Sequence, residues 1–329
     1  MGNSVTIFEE IGPIFNLKKQ EGTFGIEIET SAKEPYDVPS VSGWKVHEDP
    51  SIRDFGREYV LKSPQAFGQI PAFLKKFKDG TKDIKFQPHA STSVHVHINM
   101  AAETFLTFAN FVIIYSMFEP LLMRFCGELR SNSLFAVSFR KAEMLTPFFC
   151  RLFSGVSVGD ISPIRLLHKN EHKYACLNVY PLNVYGSVEI RCLEGTTDTE
   201  RIMLWVDILN SLLIKSRQDG LTPTKIIQKY LKNPEEFVVD LFFKNVKVLL
   251  FGGWKEEIER NLWYVYQIAR SVPDWEALNG VVYTAMKDSV KYKDPLKLKK
   301  QVDPMGWHVY NDFGGAQPNG LIIDEAVNF

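Results

Sequence analysis

Hydrophobic and polar residues alternate in four short segments of the first hundred residues, a period typical of β-strands with one buried face. We predict strands at 24–30, 43–47, 58–61 and 93–100. Between the third and fourth, the spacing of Phe, Ile and Leu predicts an amphipathic helix at 67–77 that ends at Asp79-Gly80. This part of the chain is therefore predicted to form a sheet with one inserted helix.

A long helix is predicted to follow from about Ala101, and its segment from Phe105 to Cys126 is strongly apolar. It approaches the length of a membrane span, but it contains Asn110, Glu119 and Pro120, which are costly or disruptive in a spanning helix. We therefore predict a buried core helix. Residues 130–163 show no periodicity that assigns an element.

Two further strands are predicted at 174–180 and 186–193. Thr197 and Glu200 match a capping box, the signature of a helix start. An apolar stripe follows at helical spacing, made of Ile202, Trp205, Ile208, Leu209 and Leu212.

The remainder, beyond Gly220, is predicted to be mainly helical, with Pro223, Pro234 and Pro273 near helix starts and a Gly/Pro-rich tail from Pro304. Neighbouring strand pairs with inserted helices predict an α+β domain around a largely antiparallel sheet. We divide the chain into an N-terminal segment (1–22), a domain (23–216) and a helical extension (217–329).

Composition limits the class of partner. Lys and Arg number 38 against 39 Asp and Glu, a net charge of −1, so no global field favours bulk nucleic acid or a membrane surface. The four cysteines form no C-x-x-C pair, and no secretory signal opens the sequence. A reducing, cytoplasmic location is the expectation.

The candidate chemistry starts with Glu27 and Glu29, which are separated by one residue on a predicted strand and so share one face. Crowded carboxylates repel one another unless a cation lies between them, and hard divalent cations are the usual partners. The alternative is that both acids face solvent on a half-buried strand.

The same spacing recurs in His95-Val96-His97 and in Glu189-Ile190-Arg191. A single strand histidine is more often a hydrogen-bonded core residue than a ligand. Here, however, three strands each carry two polar groups on one face. If that face were dry, each unpaired ion would destabilise the fold by several kcal/mol. We therefore predict a wet, ion-filled cavity.

Asp49, after the second strand, and Glu58, on the third, complete a predicted set of oxygen ligands. Carboxylates from separate strands with one imidazole suit two or three Mg²⁺ or Mn²⁺ ions. Zn²⁺ is disfavoured because no cysteine or third histidine has ligand spacing around the pair.

The order of these motifs resembles the amidoligase family, which is related to glutamine synthetases and glutamate-cysteine ligases. The resemblance covers about residues 24–216. The motifs that carry it are Gly25-x-Glu27-x-Glu29, Trp44 with Asp49-Pro50-Ser51, Gly56-x-Glu58, His95-x-His97, Lys173-x-x-x-Leu177-Asn178, and Glu189-x-Arg191 with Gly195-Thr196.

The resemblance implies a curved, largely antiparallel sheet with helices on its convex side and a site on its concave face. It also implies an ATP-dependent, ADP-forming ligase that joins a carboxylate to an amine through an acyl phosphate. The implied ligands are Glu29, Asp49 and Glu58 for the ions nearest the substrate, and Glu27, His95 and Glu189 for the ion that bridges the ATP phosphates.

Other roles follow from the same resemblance. Arg191 is expected to face the transferred phosphoryl group, and Lys173 to lie near phosphate or product. Asn178 and His97 are further candidates for nucleotide contacts, and Glu58 for a direct part in catalysis. No glutamine-synthetase flap or adenine-contact signature is present, so ATP follows from the fold alone.

Two other readings stay open: a binding protein that retains the fold without the reaction, and a divalent-metal-dependent hydrolase. The acid and the amine are expected to be small molecules or peptides of unidentified structure. The oligomeric state is open, and a homo-oligomer is compatible with the family.

Arg130 and Arg140 could bind a substrate carboxylate or form surface salt bridges.

Cys176 and Cys192 are interpreted as apolar fillers. A lysine run at 291, 293, 297, 299 and 300 is interpreted as a solvated face rather than a polyanion contact.

Overall fold

A six-stranded antiparallel sheet forms the centre of the computed structural model, which describes residues 5–131, 133–167 and 173–278. The strands lie side by side in the order β2-β3-β1-β4-β6-β5, so the predicted α+β class and antiparallel sheet are confirmed. Their bounds are β1 Phe24–Thr30, β2 Trp44–His47, β3 Arg57–Leu61, β4 Ser93–Asn99, β5 Leu177–Asn178 and β6 Ser187–Glu194.

Helices precede, interrupt and follow the sheet in the sequence. They are α1 Ile7–Phe15, α2 Ile70–Gly80, α3 Phe105–Phe125, α4 Glu128–Ser131, α5 Leu145–Ser157, α6 Ser162–Arg165, α7 Thr199–Ser216, α8 Pro223–Lys232, α9 Pro234–Phe242, α10 Val246–Leu249 and α11 Trp254–Arg270. Pro223 and Pro234 each begin a helix, as predicted, because a proline in the first turn needs no hydrogen-bond donor.

Alternate side chains of the central strands, such as Ile28, Val96 and Ile190, are fully buried in one hydrophobic core with α3. Among the described helices, α3 alone has the length and composition to cross a membrane. Since 89% of its most apolar window is buried inside the protein, α3 is the core helix that the sequence predicts.

The helices after Ser216 pack against α3. Asn110 on α3 donates hydrogen bonds from Nδ2 to the carbonyls of Ser216 (3.1 Å) and Leu221 (3.0 Å). Asn261 on α11 donates to the carbonyl of Ser116 at 2.8 Å. These helices therefore share the core of the sheet, and the domain boundary at residue 216 stays a prediction.

Two predicted elements differ from the structure. The fifth predicted strand, at 174–180, shrinks to Leu177–Asn178, because Ala175 pairs with Val137 and a 3-10 turn begins at Tyr180. The capping box at Thr197 is wrong. Asp198 caps α7 instead. Its Oδ1 accepts hydrogen bonds from the main-chain N–H groups of Glu200 and Arg201, which have no partner within the helix.

Pro273 is followed, within the described residues, by a short 3-10 turn at Glu276–Leu278 rather than by an α-helix. The lysine run at 291–300 and the tail from Pro304 lie outside the described residues.

Candidate functional site

The strand register gathers the predicted acids and imidazoles on one sheet face, opposite the face that packs on α3. Residues that lie directly opposite each other on antiparallel strands point to the same side. The cross-strand pairs on this polar face are Glu29 with Glu58, Glu27 with His95, and His97 with Glu189. The side-by-side arrangement predicted from one-residue spacings therefore exists in the fold.

The polar face offers three overlapping groups of ligand atoms that could hold a metal ion, with the atoms of each group within 4.8 Å of one another. The groups are Glu29-Asp49-Glu58, Glu27-Glu58-His95 and Glu27-His97-Glu189. Because Glu27 and Glu58 each belong to two groups, the three groups form one continuous row. Carboxylate oxygens with imidazole nitrogens fit Mg²⁺ and Mn²⁺, as expected from the sequence.

His95 lies at the centre of this row and is 2% exposed. Its Nδ1 is 3.2 Å from Oε2 of Glu27 and 3.1 Å from Oε1 of Glu189. Its Nε2 is 2.7 Å from Oγ of Ser93, which donates to Oε2 of Glu29 at 2.7 Å. Ser93 was not among the predicted site residues, although its position two residues before His95 on the same strand places it on the same face.

His97 joins the row through Glu27, with 3.2 Å between its Nε2 and Oε1 of that residue. Its Nδ1 is 3.2 Å from Oγ of Ser187. Gly25 lies opposite His97, and a Cβ atom there would approach the Cβ of His97 to 3.2 Å, so the glycine leaves room for the ring. The structure thus places His97, predicted as a nucleotide contact, among the candidate ion ligands.

Crowding on this face changes the acidity of its groups. Burial, together with the charges of Glu27 and Glu29, raises the pKa of Glu58 to about 8. Burial alone would also raise the pKa of Glu27, but the imidazoles of His97 and His95 hold it well below its usual value. Burial lowers the pKa of His97, yet the Glu27 carboxylate outweighs burial and raises it. The proton that Glu58 retains removes one negative charge from the row, an effect that a bound cation could replace.

Glu189 is held from two sides. Asn178 donates from Nδ2 to its Oε2 at 2.6 Å, and Arg191 forms an ion pair with its Oε1 through Nη1. Nε of Arg191 has no hydrogen-bond partner in the described part of the chain. Arg191 therefore lies at the end of the row with a buried donor available to a ligand.

Lys173 is the predicted residue that the structure does not bring into the row. Its Nζ lies 4.6 Å from the centre of the Tyr174 ring, and within the described ranges it forms no ion pair with the acids of the polar face. A cavity of about 640 Å³ lies beside this segment at the sheet edge, lined mainly by apolar residues that include Phe135, Val137 and Tyr174.

Comparison with known proteins leaves the family open. No protein-family model matches the chain, and no curated protein shows significant similarity to it.

Proposed function

We propose that the protein is an ATP-dependent, ADP-forming ligase that joins a carboxylate to an amine through an acyl phosphate. The observation that carries this proposal is the row of three overlapping groups of acids and imidazoles that ends at Arg191. The order of motifs, which resembles that of amidoligases, supports the same function.

The chemistry requires such residues. A carboxylate is a poor electrophile, and phosphorylation gives it a leaving group that an amine can displace. Phosphoryl transfer depends on positioning and on neutralisation of charge. When bound, Mg²⁺ or Mn²⁺ would neutralise phosphate oxygens and orient them.

The protein's own groups have distinct tasks in this proposal. Glu29, Asp49 and Glu58 would hold cations at one end of the row, the end assigned to the acid substrate. Glu27 and the two imidazoles, His95 and His97, would hold cations with Glu189 at the other end, which is assigned to the nucleotide.

At the nucleotide end, Asn178 fixes the carboxylate of Glu189, and Arg191 offers its guanidinium to the transferred phosphoryl group. If Arg191 acts mainly on the transition state, Arg191→Lys lowers turnover more than nucleotide affinity, because lysine lacks the planar fork. Equal losses in turnover and affinity would assign Arg191 to ground-state binding.

The deciding experiment is thermal unfolding in Mn²⁺ with ATP, ADP or a non-hydrolysable ATP analogue. A ligand at 100 times its Kd stabilises the native state by about 2.7 kcal/mol, which raises the Tm of a chain of this size by roughly 4 °C. We expect Glu29→Gln to abolish the shift. Glu259→Gln, the same charge change at an exposed position on α11, should retain it.

The other possible results of the unfolding experiment distinguish the alternative functions. Stabilisation by Mn²⁺ without any effect of nucleotide would overturn the ligase and favour the metal-dependent hydrolase. No stabilisation by either ligand would favour a binding protein without the reaction. A nucleotide shift justifies a screen of acid and amine pairs for release of ADP and phosphate.

A further inference from the structure

A β-bulge interrupts β6 where the strand passes His95. The pairs on either side of the bulge are Val94 with Leu193 and Val96 with Ile190. His95 therefore faces two residues of β6, Arg191 and Cys192, instead of one. Bulges disrupt the local ladder and redirect side chains, and they recur beside active sites. Arg191, which ends the row of candidate ligands, thus stands on main chain that β4 does not hold in regular register.

The neighbour on the other side, β5, also leaves the main chain of Arg191 partly unpaired. Arg191 donates its N–H to the carbonyl of Cys176 at 2.9 Å. In a regular antiparallel pair, Cys176 would donate its own N–H back to the carbonyl of Arg191. Here it donates to the carbonyl of Val137 at 2.8 Å instead, because the chain bends away from β6.

Arg130 supplies the missing donor. Its Nη2 donates to the carbonyl of Arg191 at 2.9 Å and to the carbonyl of Phe135 at 3.3 Å. Arg130 is 1% exposed, so the surface salt bridge considered from the sequence is wrong. Its placement depends on Gly127, whose φ of +105° lets the chain turn from α3 into α4.

The guanidinium of Arg130 has no carboxylate within 4.0 Å among the described residues. Burial lowers its pKa, and the charge of Glu29 partly opposes this. A buried guanidinium without an ion pair costs several kcal/mol, whereas an apolar side chain would fill the same space without that cost. Its two main-chain carbonyl acceptors are therefore the groups that this arginine serves.

We propose that Arg130 is a positioning residue that fixes the bulged main chain of β6 and thereby aims the Arg191 side chain along the row. The inference rests on the proposed function where nucleotide affinity is measured. The claim that Arg130 fixes the main chain of β6 can be tested without any ligand.

The first test is a double-mutant cycle on the affinity for a non-hydrolysable ATP analogue with Mn²⁺, measured by calorimetry. We expect Arg130→Gln to weaken binding about tenfold in the wild-type protein, and less than about twofold when Arg191→Met is already present. A purely structural role would give equal losses in both backgrounds, which would overturn the proposal. Unchanged affinity in folded Arg130→Gln would overturn it too.

The matched control is Arg201→Gln. Arg201, in the first turn of α7, binds Glu194 and the carbonyl of Phe125 at the C-terminal end of α3, and within the described residues it forms no hydrogen bond with Arg191. We expect it to lower the Tm while leaving the affinity within about twofold, because its hydrogen bonds end elsewhere. An affinity loss equal to that of Arg130→Gln would show that general destabilisation explains both, and would overturn the proposal.

The second test is hydrogen exchange followed by mass spectrometry on the protein without ligand. In Arg130→Gln, a peptide that covers 187–194 should exchange faster than in the wild type, while a peptide that covers 24–30 should not. Unchanged exchange in 187–194 would overturn the inference whatever the protein binds. If the wild type binds no nucleotide but exchange in 187–194 increases, the proposed function fails and the role in fixing β6 stands.

If Arg130→Gln does not fold, Arg130→Lys is the variant to measure. Arg130→Lys keeps the charge on one ammonium group that cannot reproduce the guanidinium geometry. We expect a loss of about threefold in affinity, again removed by Arg191→Met. Wild-type affinity in Arg130→Lys would overturn the proposal.

Discussion

Glu119 should make the stability of the protein fall as pH rises. This residue lies on α3 and is 2% exposed. Its Oε2 accepts a hydrogen bond from the main-chain N–H of Phe139 at 2.6 Å, and its Oε1 has no partner among the described residues. Burial raises the pKa of Glu119 to about 8, so the carboxyl group is mostly protonated at neutral pH.

The direction and size of this pH effect follow from the difference in the pKa of Glu119 between the folded and the unfolded chain. The unfolded chain releases this proton near pH 4.5, whereas the folded protein keeps it to about pH 8. The stabilising contribution is therefore complete below the unfolded pKa, decreases between the two pKa values and is lost above the folded one. Each pH unit in this window is worth about 1.4 kcal/mol, which gives a total on the order of 5 kcal/mol.

The substitution that isolates this effect is Glu119→Gln, because the amide oxygen can accept from Phe139 but carries no proton that titrates. Free energies of unfolding from urea titrations between pH 5 and pH 9 should show the variant gaining on the wild type as pH rises. Acids of the polar face are common to both proteins and cancel in the difference. Glu259→Gln, exposed on α11, should show no such trend. Parallel profiles for wild type and Glu119→Gln, within about 0.5 kcal/mol, would refute the buried protonated carboxyl.

Three further predictions concern the polar face and two turns. Glu29→Gln should leave the Tm of the metal-free protein unchanged or higher, since it relieves carboxylate repulsion, and a large drop would contradict the crowded row. Asn178→Ala should weaken Mn²⁺ binding about tenfold by releasing Glu189, and wild-type affinity in calorimetry would count against that support. Gly127→Ala should destabilise the protein in urea by about 1 kcal/mol more than Gly220→Ala, because the added Cβ atom displaces the Glu194 carboxylate that pairs with Arg201. Both glycines have positive φ, but only at Gly127 would a Cβ atom meet another side chain, so equal losses would refute this packing argument.

The sequence predicted what depends on spacing within one strand. The alternation at Glu27 and Glu29 places both acids on one face whatever lies beside the strand. The bounds of β1 were correct for the same reason, and the burial of α3 followed from its nearly uniform apolar composition.

Contacts between strands and through irregular segments could not be predicted. The grouping of His97 with Glu189 depends on the register between β4 and β6, which lie far apart in the sequence. The role of Arg130 depends on the bulge in β6 and on a short helix without hydrophobic periodicity. Shortening of β5 results from pairing between Ala175 and Val137, a tertiary contact that outweighs local strand propensity.

The strand order also has a consequence for how the protein folds. β1 pairs with β3 across a short separation, whereas β4 pairs with β6 across about 95 residues that include α3. Closing that long loop is slow, and the step completes the candidate ligand group of Glu27, His97 and Glu189. Formation of the β4–β6 ladder is therefore the step of refolding that a bound cation can assist, and divalent cations in the refolding buffer should accelerate it in wild-type protein more than in Glu29→Gln.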